Sequence, residues 1–362
     1  MKKLCKYLTL IIPIIVLNII SLLNLYNAKY ISGLYDGFFF KQCIWFFLSY
    51  VIVVVLQKVN LEKVIYYSKY LYIFSIVLLI MVLFFGSEIK GARCWFNIFG
   101  ISFQPSELVK LTLLFYGVYL INKNKYRKNK VILLLKLFII TLIPSVLVFL
   151  EPDTGAIINY LLIFIVFIFN IKLDKKFYIM FGVSFILCVI CFVLSFVYFK
   201  EYLIKIFGTG IFYRVDRIIN FYNGNSYQLL NALTTISVSS FWGSGLKNIL
   251  LYIPEAPTDF IFSFSVGSFG IFSAIIILLS YLVILLYLIN KEKYVNSNYV
   301  IILKSFIVIL IFHVIYNISM NLGLLPIMGI PLPFLSYGGS STLINFIFVG
   351  IILNVLENNK TA

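Results

Sequence analysis

Hydrophobic positions in this chain gather in long runs separated by short polar segments, and the runs are too uniform for a surface that meets water. A helix needs about 20 apolar residues to cross a hydrocarbon layer roughly 30 Å thick. Runs of that length are drawn at 8–27, 38–57, 69–86, 105–122 and 131–149. Five more follow at 153–171, 177–199, 260–290, 299–319 and 339–356. The pattern predicts an all-α integral membrane protein of about ten transmembrane helices, forming a single polytopic unit over 1–362. The one extended polar interruption, 200–259, becomes a large outer loop between helices 7 and 8. Its Tyr, Trp and Phe content places it against the membrane interface. No inverted repeat of the kind many transporters carry is visible.

Composition agrees: 62% of residues are hydrophobic and 12% charged, which leaves too little polar cover for a soluble globule. The net charge of +16 changes the picture only through its distribution. With a cytoplasmic N-terminus and boundary residues counted with the loops, 17 of the 29 Lys and Arg fall inside, densest at Lys123, Lys125, Arg127, Lys128 and Lys130. Eight of the 13 acidic residues fall outside. This positive-inside asymmetry puts both termini in the cytoplasm, and it explains the basic balance with no nucleic acid as partner. The opening MKKLCKY and the run after it read as a first membrane helix, because no small-residue cleavage site follows. Cys188 and Cys191 form a CxxC inside an apolar run, where packing is expected in place of redox chemistry.

The stretch YIPEAPTDFIF, Tyr252 to Phe262, sets Glu255 and Asp259 at the mouth of a predicted membrane helix. A carboxylate there either serves chemistry or simply suits the helix dipole. In QPSELVKL, Pro105 fits a first helical turn, and Glu107 and Lys110, three apart, share a face. An ionised group at membrane depth costs about 2.5–3.5 kcal/mol, so the two are expected to pair, as a structural bridge or as a substrate contact. IPLPFLSYGGSS places Pro331, Pro333, Gly338 and Gly339 beside apolar sequence. Irregular backbone at that depth is expected to border a polar groove; the alternative is an outer turn capped by Ser340. His313, the only histidine, reads as packed and hydrogen-bonded more readily than as a proton shuttle.

Taken together, GARCWFNIFGISFQPSELVKL (91–111), EPDTG (151–155), SYQ (226–228), IPEAPTDFIF (253–262) and NISMNLGLLPIMGIPLPFLSYGGSS (317–341) resemble the SEDS family of shape, elongation, division and sporulation proteins. NISMNLGLLP leans towards its RodA branch over FtsW and SpoVE. The resemblance implies a peptidoglycan glycosyltransferase that polymerises lipid II at the outer face of the bacterial cytoplasmic membrane, working with a class B penicillin-binding protein. It implies that Asp259, in the TDF motif, is the essential aspartate, acting as general base. Partial desolvation at the interface is expected to raise its pKa above the ordinary value of about 3.9. Arg93, Arg214, Arg217 and Lys247 become candidates for the departing diphosphate, each equally readable as a surface charge. Glu107, Lys110, Asp153, Gln228, Glu255 and Ser336 complete the implied substrate-binding set. A divalent cation, Mg²⁺ or Mn²⁺, is favoured by the resemblance, although no dedicated metal cage is visible.

The chain departs from the family pattern close to these motifs. A paired Glu-Glu after TDFIF is replaced by Gly267 and Ser268, a usual His by Pro257, a GSGG stretch by Ser237, Val238, Ser239 and Ser240, and a second Arg by Cys94. Two further readings therefore stand beside the polymerase: a non-catalytic scaffold for lipid II or a penicillin-binding protein, and a lipid-linked sugar flippase.

Overall fold

The computed structural model describes residues 7–358 other than 31, 90–91, 99–100, 125–129, 152, 172, 180–181, 184–216, 218, 225 and 249. Helices α1 (Leu8–Ala28), α2 (Phe38–Leu56), α3 (Leu61–Tyr66) and α4 (Ser68–Phe85) open the chain. Three strands follow, β1 (Ser87–Ile89), β2 (Ala92–Ile98) and β3 (Ile101–Phe103), and then α5 (Pro105–Lys123), α6 (Lys130–Leu150) and α7 (Thr154–Ile171). Past the segment left undescribed come α8 (Tyr227–Val238), α9 (Ile261–Glu292), α10 (Val300–Asn321) and α11 (Gly339–Asn358).

Among the described residues, 8 helices are long and apolar enough to cross a membrane: α1, α2 with its preceding turn, α4, α6, α7, α9, α10 and α11. A ninth expected span, 105–122, forms as α5 and differs in kind, because its Glu107 and Lys110 lie in the bundle and most of its length is buried. The seventh, 177–199, falls for the most part outside the described residues. One apolar core runs through α1, α2, α4, α5, α6, α7, α9, α10 and α11. It grades from α2, largely exposed to the surroundings, to α11, whose spanning window is 83% buried. Closest packing joins α11 to α2, α1 to α9 and α4 to α5. Lipid would cover the outward Ile, Leu, Val and Phe side chains of the outer helices, so exposure there carries no penalty.

Two features add to the expected helical bundle. The strands β1, β2 and β3 form a small antiparallel sheet in that order, with Ser87 opposite Trp95 and Asn97 opposite Ser102. It delivers the chain to Pro105, which starts α5 at a position where the missing N–H costs nothing. Short helices also stand in expected connections: α3, capped by the Asn60 side chain accepting from the Lys63 N–H at 3.1 Å, and α8 within the 200–259 loop.

Helix α9 is broken at Gly270, which has φ 72° and ψ −175°. The break frees carbonyls that the turn at 240–245 recovers: the Ser244 N–H donates to Gly267 at 3.0 Å and the Gly245 N–H to Ser268 at 2.8 Å. In return, the Ile271 and Phe272 N–H groups donate to the Ser240 and Phe241 carbonyls. A Cβ at Gly270 would lie 2.0 Å from the Phe241 oxygen, so only glycine permits this splice. The turn is built into the helix and so fixes the approach to the TDF segment.

Candidate active site at the loop end of the bundle

The motif residues converge at one end of the bundle, where the TDF turn, the EPDTG turn, the QPSE helix start and the 329–337 segment meet. Ile253, Ala256 and Phe260 are fully buried with Tyr35, Leu229, Ala232 and Phe264, which anchors the TDF turn from below. Glu255 takes a left-handed φ of 59°, unusual for a residue with a Cβ. Its carbonyl accepts from the Thr258 N–H at 3.1 Å and the Phe260 N–H at 3.2 Å, and its carboxylate from the Thr258 hydroxyl at 3.0 Å. This winding brings Asp259, half-buried, to the point where α9 begins.

The backbone around Asp259 is held from outside the turn. Its carbonyl accepts from Asn317 and Asn321 of α10, each at 3.0 Å. Asn321 also accepts from the Ser263 N–H and hydroxyl, and Asn317 also donates to the Ile330 carbonyl at 2.8 Å. Ser336 donates to the Thr258 carbonyl at 2.7 Å, and the Tyr337 N–H to the Pro257 carbonyl at 2.9 Å. Neighbouring residues of the TDF motif are thus clamped through main-chain oxygens.

That side chain lies beside Gly329, where a Cβ would sit 3.8 Å from Asp259 Oδ2. On the far side of the same glycine stands the EPDTG turn: a Cβ on Gly155 would lie 3.5 Å from the Gly329 oxygen and 3.6 Å from Asp153 Oδ1. Gly329 therefore forms a neck without a side chain between two acidic turns. Asp153 caps α7, its Oδ1 accepting from the Ala156 N–H at 3.1 Å, while Oδ2 accepts from Gln104 at 2.7 Å and Ser106 at 3.1 Å. Tyr160 fixes Ser106 in turn, donating to its carbonyl at 2.7 Å.

Below this layer Lys110 pairs with Glu107 at 2.7 Å, with 2% and 12% of the two side chains exposed. His313 donates from Nδ1 to the Pro331 carbonyl at 3.0 Å, and its Nε2 lies 2.8 Å from the side-chain amide of Asn159. With Nδ1 carrying the proton, a neutral ring accepts at Nε2, so the Asn159 amide presents its NH₂ there. Both ring nitrogens are thus engaged, one with the 329–336 segment and the other with α7.

The structure separates the remaining candidates. Glu255, Asp153, Glu107, Lys110 and Ser336 lie in the layers just described, the Ser336 hydroxyl also accepting from the Leu332 N–H at 2.9 Å. Gln228 is half-buried in the first turn of α8. Arg93, on β2, Arg217 and Lys247 are exposed; Arg214 lies outside the described residues. The residues that reading by motif passed over are the positioning groups Gln104, Ser106, Asn317 and Asn321. NISMN did carry a signal for two of them, since its asparagines sit four apart on one helical face. Glu151 was also missed: it is fully buried beneath β2, where the Cys94 thiol donates to its carbonyl. Among the described residues both its carboxyl oxygens lack a hydrogen-bond partner, and burial, then the Asp153 charge, push its pKa up to about 9.

The lost Glu-Glu pair has a packing counterpart. A Cβ on Gly267 would fall 2.4 Å from the Thr235 methyl of α8. Ser268 accepts from Asn27 at 2.8 Å, and Ser265 from Asn24 at 2.7 Å. Neutral hydrogen bonds between α1 and α9 thus lie where the resemblance implied a carboxylate pair.

The cell cycle protein model that groups FtsW, RodA and SpoVE matches residues 2–361. The chain belongs to this family. A probable peptidoglycan glycosyltransferase FtsW of Wigglesworthia glossinidia brevipalpis is 33% identical over 94% of this chain and 90% of its own length. One from Buchnera aphidicola subsp. Schizaphis graminum is 31% identical over 89% and 91%. Among solved structures, a chain from a peptidoglycan synthase complex superposes with a TM-score of 0.77 at 24% identity, covering 98% of each chain. The rod shape determining protein RodA of Thermus thermophilus gives 0.68 at 24%, covering 97% of each. Likeness thus extends to both the FtsW and RodA branches, and the family and the apolar helices make this chain a multi-pass protein of the bacterial cytoplasmic membrane.

Proposed function

We propose that the chain is a glycosyltransferase that polymerises lipid II into peptidoglycan glycan strands at the outer membrane face, with Asp259 as general base. The observation that carries this reading is the setting of Asp259: its backbone is clamped by Asn317 and Asn321 while its carboxylate stands beside the bare neck at Gly329. The two asparagines thus fix the place at which this carboxylate is presented.

In the proposed step the acceptor 4-hydroxyl attacks the anomeric carbon of the donor sugar. The new C–O bond forms with inversion as the bond to the diphosphate oxygen breaks, and the hydroxyl proton passes to Asp259. The electron pair leaves with polyprenyl diphosphate, and Asp259 later returns its proton to water. A fixed carboxylate within reach of the hydroxyl supplies about 10²- to 10⁴-fold by general base catalysis. Arg93, Arg217 and Lys247 are the described cations for the diphosphate, with Arg214 close to Arg217 in sequence.

A divalent cation was expected with the diphosphate. Among the described residues no three His, Cys, Asp or Glu side chains converge on a metal position, and Asp153 already accepts from Gln104, Ser106 and Ala156. An ion carried by the diphosphate needs only one or two protein carboxylates, and the step above is written on the chain's own groups.

A class B penicillin-binding protein is the proposed partner, supported by the likeness to a solved chain from a peptidoglycan synthase complex, whose work is described as polymerization and crosslinking. The test is lipid II polymerisation by purified protein with divalent cation and co-purified penicillin-binding protein. Polymer from wild type and none from Asp259→Asn is the expected result. Equal polymer from both would remove the base assignment, and polymer from neither, with lipid II bound, would favour a scaffold.

A further inference from the structure

Helix α1 ends in a feature that the proposed reaction leaves unused. Its exposed residues Leu8, Ile12, Ile15, Ile19 and Leu23 recur every three or four positions, and Tyr26 and Tyr30 continue that spacing. At about 100° per residue these seven positions lie within an arc of about 80°. They form one outward stripe that is aliphatic along the membrane span and aromatic at its end, with Phe39 6.0 Å from Tyr26 extending the aromatic part.

Two lysines meet at the head of this stripe. Lys29 Nζ lies 4.3 Å from the Tyr26 ring centroid and 4.9 Å from that of Tyr30. Lys247 Nζ, from the turn that splices α9, lies 5.9 Å from the same Tyr30 ring. The second lysine is brought there by the backbone: it takes a φ of 68°, and its N–H donates to Asn27 Oδ1 at 2.6 Å. Asn27 in turn donates to Ser268. Neither lysine forms an ion pair among the described residues.

Two like charges gathered around one ring repel, and attraction to the ring quadrupole is shared between them. A strained backbone and a buried asparagine hold the arrangement, so the fold maintains two positive charges around one ring with no ion-pair partner among the described residues. The Tyr30 phenol responds: hydrogen bonding with Tyr26 and then the Lys29 and Lys247 charges hold it below its ordinary value, against some desolvation. An anion lying between the lysines relieves the repulsion, and an anion joined to a long apolar chain also covers the stripe below.

We propose that Lys29 and Lys247 hold the phosphate of a lipid whose chain lies along the outward stripe of α1. The shared chemistry is a phosphate on a hydrocarbon anchor, carried by a polyprenyl diphosphate or by an anionic phospholipid. This deepens the diphosphate role given to Lys247 above and rests on that reading only for the polyprenyl case. Because its test reads binding, it can fail separately from the reaction.

The experiment is native mass spectrometry of the full chain in detergent, offered equal amounts of polyprenyl diphosphate, phosphatidylglycerol and phosphatidylcholine. Wild type is expected to retain at least one of the two anionic lipids about tenfold or more over phosphatidylcholine. Lys29→Gln with Lys247→Gln should lose that preference, and Lys29→Gln alone should weaken it if the double variant fails to fold. Lys291→Gln with Lys293→Gln serves as control, since those lysines also lie over tyrosines, at the opposite end of α9. Preference for polyprenyl diphosphate would assign the site to substrate or product, and preference for phosphatidylglycerol to the surrounding bilayer. Asp259→Asn should bind as wild type even where polymer is lost. Equal retention by wild type and double variant, no preference over phosphatidylcholine, or displacement by an equal concentration of free pyrophosphate would overturn the proposal.

Discussion

The side-chain amide of Asn321 donates to the main-chain carbonyl of Asp259 at 3.0 Å, across 62 residues of sequence. The same asparagine accepts from Ser263 in the first turn of α9, so one residue of α10 sets both the position of Asp259 and the direction of the helix it begins. Asn321→Ala would remove the acceptor of the Ser263 N–H and hydroxyl and leave the Asp259 carbonyl to Asn317 alone, at a cost of about 1–3 kcal/mol. The expected outcome is a lower melting temperature and a fall in kcat for lipid II polymerisation of about tenfold or more, with KM little changed, because Asn321 positions the base and does not touch substrate. A variant that loses stability but keeps kcat would show that the carbonyl clamp is dispensable for the reaction.

Gly329 offers a different handle on the same carboxylate. With φ at 65°, any other residue there is strained by about 1–2 kcal/mol, and its side chain would grow from a Cβ 3.8 Å from Asp259 Oδ2. Gly329→Val should therefore block the neck and abolish polymerisation, while Gly329→Ala, strained but small, should retain part of the activity. Similar polymer yields from the two would mean that substrate reaches Asp259 by another route.

Much of this was legible in the hydrophobic pattern, because a membrane helix is specified by length and apolarity alone. The expected start of α5 at residue 105 coincides with Pro105 at the first helical position. The sheet at 87–103 escaped because its outer strands are 3 residues long and carry no run of alternation. Helix α8 escaped because it lies in a loop defined only by what interrupts the spans. At the site, TDF and EPDTG were visible as motifs, whereas the Asn317 and Asn321 bonds to Asp259 depend on tertiary contact and leave only a spacing of four in NISMN. Glu151 stood inside a quoted motif, yet nothing local distinguishes a carboxylate buried under a strand from one in a solvated turn.

Glu151 makes stability depend on pH in a defined direction. Burial, with Asp153 second, raises its folded pKa to about 9, against about 4.3 for an unfolded glutamate. Between these values the folded state binds one more proton than the unfolded state, so stability falls as pH rises through the window and levels off above it. Glu151→Gln keeps the shape of the protonated acid and removes the titration. Melting temperature measured from pH 5 to 10 should decline in wild type and stay flatter in the variant; parallel curves would place the ionisation elsewhere.

The replaced carboxylate pair yields the sharpest prediction about divergence. Gly267→Glu restores one family charge, but its Cβ would meet the Thr235 methyl at 2.4 Å, and Thr235 is a stiff, β-branched side chain buried between α8 and α9. Overpacking of this kind costs about 1–3 kcal/mol, and the new carboxylate would also be buried. The single variant should therefore melt below wild type, while Gly267→Glu combined with Thr235→Gly should recover part of the loss, a non-additivity expected of residues in contact. Because α8 leads into the turn that carries Lys247, displacement of α8 should also lower polymerisation, and the double variant should recover both together. If the double variant regains stability and exceeds wild-type activity, the missing carboxylate limits catalysis in this chain; if it only returns to the wild-type rate, the neutral packing of α8, α9 and α1 is a full substitute for the charge.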